Sequence, residues 1–495
     1  MHRLFEHEFS FRPSKHKKAT SIKMIRPGEG KLRKSLKDAI EASGLRDGMT
    51  LSFHHHFRSG DYVLMDVMKI LDEMNFKDLK IAASSLTSAH DGLVEYIKNG
   101  LVTGIHTSGL RGVLARTISG GLLNEPVVIR SHGGRARAIE AGDIHIDIAF
   151  LGVPSSDDYG NANGQVGQAI CGSLGYAKMD AEYADHVILI TDTLVDYPNT
   201  PASINQMNVD QVVVVDRIGD SSKIASGATR FTKNPKELLI AKRASEVIIN
   251  SDYFKEGFSF QTGSGGSSLA VTRFLEEAMK SRKITASFAL GGITQPMVSL
   301  HEKGLIKQLY DVQSFDLSAA ESIKKSPLHH EISASLYANP HTMGCMVNRL
   351  DVVILSALEI DKHFNVNVMT GSDGVIMGAS GGHCDTAAAA SLTIIVAPLT
   401  RGRIPTVVEK VDTIITPGES VDVLVTDRGI AVNPRRQDLV ECFNKSHLPI
   451  KPIEGLVAEA EAIVGPKQEI QHNKQTVAIV EYRDGSVIDE IKGIS

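Results

Sequence analysis

Two glycine-rich stretches carry residue types suited to holding an anion. Gly263-Ser264-Gly265-Gly266 stands between a predicted strand at 258–260 and a predicted helix at 268–279. With no Cβ in the way, backbone N–H groups there can approach an anion or a developing oxyanion, and a helix N-terminus adds its dipole. No Lys-Ser/Thr pair follows, so this is not a nucleoside-triphosphate loop, and the GxGxxG spacing of dinucleotide turns is missing. A second loop, Gly378-Ala-Ser-Gly381-Gly382-His383-Cys384-Asp385, precedes four alanines and an apolar strand at 392–396. Small residues there leave room for a long thin ligand, although close helix–sheet packing would use them equally.

His54-His55-His56 follow a predicted strand at 49–53. Strand neighbours alternate sides, so three adjacent imidazoles cannot face one metal, and no carboxylate stands at ligand spacing; no metal site is expected. His54 with Arg58 instead suggests an edge that binds carboxylates. Arg135 and Arg137 follow Gly133-Gly134, and Arg401 and Arg403 follow the 392–396 strand. A guanidinium at a strand end suits bidentate carboxylate binding. No GxSxG elbow is present, and His329-His330-Glu331 is not in zincin order.

These groups must be positioned by more than one domain, because 495 residues exceed a single core. The net charge of −5 argues against a nucleic-acid binder, and Lys15, Lys17, Lys18, Lys23 and Arg26 read as a solvated N-terminal arm. Four scattered cysteines without a CxxC pair suggest reduced thiols. The start, Met-His-Arg-Leu-Phe-Glu-His-Glu, has no apolar core, and no apolar run approaches a membrane span. A soluble, cytoplasmic protein is expected.

The chain also repeats itself. Asp147-Ile-Ala-Phe-Leu151 matches Asp351-Val-Val-Ile-Leu355, an offset of 204 (147 to 351); Asp157, Asn161 and Asn163 then meet Asp361, Asn365 and Asn367 at the same offset. Each half opens with a strand, a polar loop and a helix, the first helix lying at 62–74. Short apolar strands follow at 79–83, 127–130, 146–151, 186–191 and 211–215. Strands alternating with helices predict two tandem open α/β/α domains with mostly parallel sheets, arising by duplication. The expected division is an arm at 1–30, a first domain at 31–228 and a second at 229–495, with a boundary near 219–234 before a helix at Pro235. Ligands bind such sheets at the carboxyl ends of strands, so a cleft between two similar faces is expected.

Taken in order, several motifs resemble the coenzyme A transferase superfamily, of NagB/RpiA type. The second half is similar to acetate-type CoA transferases through Gly263-Ser-Gly-Gly, Tyr337-Ala-Asn-Pro340, Ala357-Leu-Glu-Ile-Asp361, Asn365-Val-Asn367, Gly381-Gly-His-Cys-Asp385 and Arg401-Gly-Arg403-Ile-Pro405. Across its whole length the chain is similar to the citrate lyase α-subunit family, the citrate CoA-transferases, through Ser131-His-Gly-Gly-Arg-Ala-Arg137, Gly152-Val-Pro-Ser-Ser-Asp-Asp-Tyr-Gly160 and Asp311-Val-Gln-Ser-Phe-Asp316.

The resemblance implies exchange of acetate for citrate on the acetyl thioester of an acyl carrier protein, the γ subunit, before a β subunit cleaves the citryl group. No cofactor is expected to be tightly bound on this chain. The thioester would sit on a CoA-like phosphopantetheine, for which acetyl-CoA substitutes, and the assembly would be oligomeric. Acetate-type relatives use a glutamate nucleophile whose position falls here on Gly291, so a ternary complex and a mixed anhydride are expected, without an acyl-enzyme. The resemblance places Gly263, Ser264, Gly265, Gly266 and Asn339 at the reacting thioester. It places Gly381, Gly382, His383 and Asn365 along the CoA-like arm, and Arg403, Arg135, Arg137, Arg58 and His54 at citrate. Two alternatives stand beside it: a covalent transferase using Glu359, and a non-catalytic assembly subunit.

Overall fold

The computed structural model describes residues 29–225 and 232–494. The arm, with Lys15, Lys17, Lys18, Lys23 and Arg26, lies outside them apart from 29–30, and so does part of the expected boundary at 219–234.

Apolar runs buried on both faces form the strands. Ile148–Val153, His186–Thr191 and Leu392–Val396 are almost wholly buried, as parallel strands covered by helices must be. Between them, amphipathic helices turn one stripe inward: in Val63–Glu73, Val63, Leu64, Val67, Met68 and Leu71 are buried while Asp66 and Glu73 face water. The helix Pro235–Ile249 starts where the sequence predicts, with Asn234 capping the Lys236 N–H and proline in its first turn.

The result is a mixed α/β architecture built on two large, mainly parallel sheets. From one end, part of the first sheet reads Gln211–Val214, His186–Thr191, Ile148–Val153, Thr50–Phe53, Leu79–Ala83, Val102–Thr107, Val127–Ile129. The second reads Val423–Val425, Leu392–Val396, Val352–Ser356, Ser259–Thr262, Ala286–Ile293, Ile306–Ser314, His329–Glu331. Each run begins with the strands late in its half and places the opening strand fourth.

Local hydrogen bonds recur at the same offset. Asp147 Oδ2 accepts the Thr50 N–H at 2.8 Å, and Asp351 Oδ2 accepts the Ser259 N–H at 2.8 Å. Asp157 Oδ1 accepts the N–H groups of Tyr159 and Asn161, as Asp361 Oδ1 accepts those of His363 and Asn365. Asn163 and Asn367 each cap the two residues that begin two positions on.

The halves are not separate along the chain. The final hairpin, His472–Glu481 with Val487–Ile494, comes from the stretch expected in the second domain but extends the first sheet, Ala478 to Val480 pairing in parallel with Val127 to Ile129. It covers an edge that would otherwise expose unpaired backbone groups. The cores also merge, since Val312, Tyr337 and Leu355 pack in one apolar cluster with Leu51 and Leu174.

Candidate active site

The carboxyl ends of the two sheets face each other across a cleft of ≈ 410 Å³. The strand Thr50–Phe53 delivers His55 and Arg58 to it, Ser259–Thr262 delivers the first glycine loop, and Val352–Ser356 delivers Ala357. In the first loop, Gly265 precedes the helix Gly266–Arg282 as its N-cap. The Gly263 N–H is spent on Ile354 O at 2.7 Å. The N–H groups of Ser264 and Gly265 remain at the mouth of the helix, where a first turn lacks internal acceptors.

The second glycine loop is stitched to the first half. Leu110 N–H donates to Gly378 O at 3.1 Å, Ser380 N–H to Ser108 O at 2.8 Å and His132 N–H to Gly381 O at 2.8 Å. Gly381 takes a φ of +52°, which a side chain would strain. Beyond it, Asp385 accepts the Ser131 hydroxyl and the Gly133 N–H, both at 2.8 Å, with Arg483 Nε at 3.7 Å. Burial pushes the Asp385 carboxyl up to about 6.

The electrostatics of the cleft are one-sided. Among the described residues Arg58, Arg111 and Arg401 line it, and no Asp or Glu does. Arg58 adopts a left-handed φ of +54°, lays its guanidinium 5.0 Å from the Phe315 ring centre, and keeps Nη1 buried without a partner. Burial, then the neighbouring Arg111, pulls Arg58 down to about 10. Arg401 is anchored on the carbonyls of Leu358 and Ala357 at 3.0 and 2.5 Å. Burial also lowers the three cleft imidazoles, His132 to about 3 and His383 to about 4, so they stay neutral near pH 7. A concave surface with cationic and neutral donors, and no carboxylate among its described residues, has the chemistry to accept an anion.

Of the residues singled out in the sequence, Arg58, Gly263, Ser264, Gly265, Gly381, Gly382 and His383 line the cleft, and Gly266 begins the adjoining helix. Others lie elsewhere. Asn339 is fully buried and donates to Glu140 Oε2 at 2.6 Å, joining the halves. Asn365 closes the Asp361 turn. Arg403 is exposed on a turn outside the lining. Arg135 and Arg137 stand within the buried helix His132–Ala141 rather than at a strand end; Arg135 pairs with Asp180 at 2.9 Å, and Arg137 with Asp143. His54 packs 4.0 Å from the His56 ring, behind the cleft wall.

Glu359 also stays outside. It is buried against Lys467 Nζ at 2.8 Å and Asn367 Nδ2 at 3.1 Å. At Gly291 the φ is +102°, and a Cβ there would meet the Gln261 side chain at 2.7 Å. Sequence reasoning passed over His132, Tyr176, Gln261 and Gln313, all in the lining. The signal for His132 was its place before two glycines at a helix start.

Among the described residues one group has metal-ligand types within 4.8 Å: His145, Asp147 and Asp185. It lies at the amino edge of the first sheet, opposite the cleft, and Asp147 is occupied in capping Thr50. No described helix is long and apolar enough to cross a membrane.

Residues 29–494 match the family model "Citrate lyase, alpha subunit (CitF)". The chain is 61% identical over 461 residues to the citrate lyase alpha chain of Haemophilus influenzae, covering 93% of this chain and 92% of that one. It is 60% identical over 461 residues to that of Escherichia coli, covering 93% and 90%. Among solved structures, one described as the α subunit of citrate lyase in complex with citrate from Streptococcus mutans superposes with a TM-score of 0.95 at 56% identity, covering 99% of this chain and 96% of that one. A malonate decarboxylase hetero-tetramer from Pseudomonas shares the fold at a TM-score of 0.65 and 15% identity, covering 88% and 84%. The chain belongs to the citrate lyase α-subunit family.

Proposed function

We propose that the chain is a citrate CoA-transferase that exchanges acetate for citrate on an acetyl thioester through a ternary complex. The observation that carries this reading is the cleft lining: among the described residues, three guanidinium groups, two glycine loops and no carboxylate. The citrate named with the Streptococcus mutans structure supports citrate as the acid.

In the first step a citrate carboxylate oxygen attacks the acetyl carbon. A C–O bond forms, the C–S bond breaks, and a mixed anhydride and a thiolate result. The thiolate then attacks the citryl carbonyl, forming citryl thioester and releasing acetate. No proton is gained or lost, so the protein has only to hold two anions and stabilise each oxyanion. Arg58, with Arg111 at the rim, holds citrate; Arg401 faces it from the other half. The N–H groups of Ser264 and Gly265 serve the oxyanion. The apolar wall of Leu355, Val368, Met377 and Ala379 takes the thin arm of the thioester. That arm is the phosphopantetheine of an acyl carrier partner, with a lyase subunit beside it in an oligomeric cytoplasmic complex.

The two halves derive from one duplicated α/β/α unit, with domains at 31–228 and 229–495. The matched strand order and the recurring Asp147/Asp351 and Asp157/Asp361 hydrogen bonds support this.

The test is to incubate the purified chain with acetyl-CoA and a panel of tricarboxylates and short acids, reading thioester products by mass. Citryl-CoA and free acetate are expected; absence of any exchange contradicts the reading and favours an assembly role.

A further inference from the structure

The cleft holds a side chain with no task in the steps above. Three imidazoles line it: His55, His132 and His383. His383 has both nitrogens engaged, Nδ1 with Thr416 Oγ1 at 2.7 Å and Nε2 with Ser356 O at 3.0 Å. His55 Nδ1 is held by Ser84 Oγ at 2.5 Å. His132 differs, because its Nδ1 is buried without any hydrogen-bond partner.

Its placement is tightly determined. His132 is the first residue of the helix His132–Ala141, with Ser131 capping the Gly134 N–H. Its own N–H holds Gly381 O, and its Nε2 lies 3.7 Å from where a Cβ on Gly381 would stand. Its ring packs on Tyr176 at 4.5 Å and on His55 at 5.9 Å. Asp385, through Ser131 and Gly133, fastens that helix start to the second half. With Nδ1 enclosed, Nε2 beside Gly381 is the ring nitrogen left for the cleft, where the two halves and the second glycine loop meet.

We infer that His132 is a catalytic residue of the transfer, donating a neutral N–H hydrogen bond to the acyl oxygen as it becomes an oxyanion. The inference rests on the transferase reading. The chemistry favours a neutral donor over another cation, since a guanidinium would also bind the ground-state carboxylates, and only interactions that strengthen in the transition state raise kcat. Because neither step transfers a proton, His132 keeps its own throughout. With its imidazolium disfavoured by burial and the Arg135 charge, it remains neutral across the working pH range.

The experiment compares the full chain with His132→Phe, His132→Ala and His132→Gln in acetyl-CoA/citrate exchange. Calorimetry measures citrate binding, and thermal melts report folding. Loss of one such donor costs roughly 10²- to 10³-fold in kcat. The expected result is a fall of that size in His132→Phe and His132→Ala, citrate Kd within about threefold of the parent, and partial recovery in His132→Gln, which keeps an N–H donor. Between pH 5.5 and 8 the parent kcat is expected to show no inflection that His132→Gln removes. The inference is overturned by a His132→Phe rate within threefold of the parent, by a loss confined to citrate binding, by failure of His132→Gln to recover in a folded chain, or by an imidazole inflection that His132→Gln abolishes. If the parent chain exchanges nothing, the transferase reading falls first and takes this inference with it.

Discussion

Asp385 accepts the Ser131 hydroxyl at 2.8 Å, so a carboxylate from one half caps the helix start of the other. The Gly133 N–H and the Arg483 guanidinium complete its surroundings. Removing it in Asp385→Ala strands a buried hydroxyl, an N–H and a cation, which costs about 3 kcal/mol or more. Urea unfolding should show that loss, and exchange activity should fall with it because the helix carries His132.

The same carboxylate gives a pH signature. Its folded value of about 6 lies above the ordinary Asp value, so between roughly pH 4 and 6 the folded chain binds the extra proton. The contribution of this group is therefore greatest near pH 4 and is lost as pH rises through 6, by about 3 kcal/mol for a two-unit shift. Stability of the parent relative to Asp385→Asn is expected to decline from pH 4.5 to 6.5 and then level off. A difference that rises over that range contradicts the assignment.

Two arginines predicted together for citrate should behave oppositely. Arg58 lines the cleft, whereas Arg135 is buried in an ion pair with Asp180. Arg58→Ala should raise the citrate KM by about 10- to 100-fold, the loss of one charge-assisted contact, with little change in the unfolding midpoint. Arg135→Ala should destabilise by about 3–5 kcal/mol, because Asp180 is left charged and unpaired. Acid-dependence kinetics and denaturant titration separate the two.

Glu359 should prove a structural carboxylate. Glu359→Gln keeps the shape but loses the charge opposite Lys467, so a stability loss of about 1–3 kcal/mol is expected with exchange rates within a fewfold of the parent. Hydroxylamine after acetyl-CoA treatment should leave no modified residue at 359; a hydroxamate there would make Glu359 the nucleophile.

Much of the architecture was legible because local signals suffice for it. The Leu79–Ala83, His186–Thr191 and Leu392–Val396 strands are apolar runs bounded by polar residues, and Asn234-Pro235 marks a helix start by capping chemistry. The closing hairpin was not legible: Ala478 pairs with Val127 some 350 residues away, and no local pattern encodes a partner. At the cleft, both glycine-rich loops stood out in the sequence, and residues of both line it. The arginines were harder. Sequence shows a guanidinium, but whether it meets substrate or a buried acid such as Asp180 depends on tertiary contacts. Asn339 was placed by a motif, yet its amide is consumed by Glu140.

Oxygen tracing in a single turnover distinguishes transfer without an acyl-enzyme from transfer through one. The chain is held in excess over acetyl-CoA, with citrate labelled by ¹⁸O in its carboxylates. A mixed anhydride formed directly between citrate and acetyl makes the bridging oxygen a citrate oxygen, and thiolate attack on the citryl carbonyl leaves it on acetate. Direct transfer yields acetate carrying one ¹⁸O and no label on the protein. Unlabelled acetate, with ¹⁸O appearing on a glutamate of the chain, would contradict it.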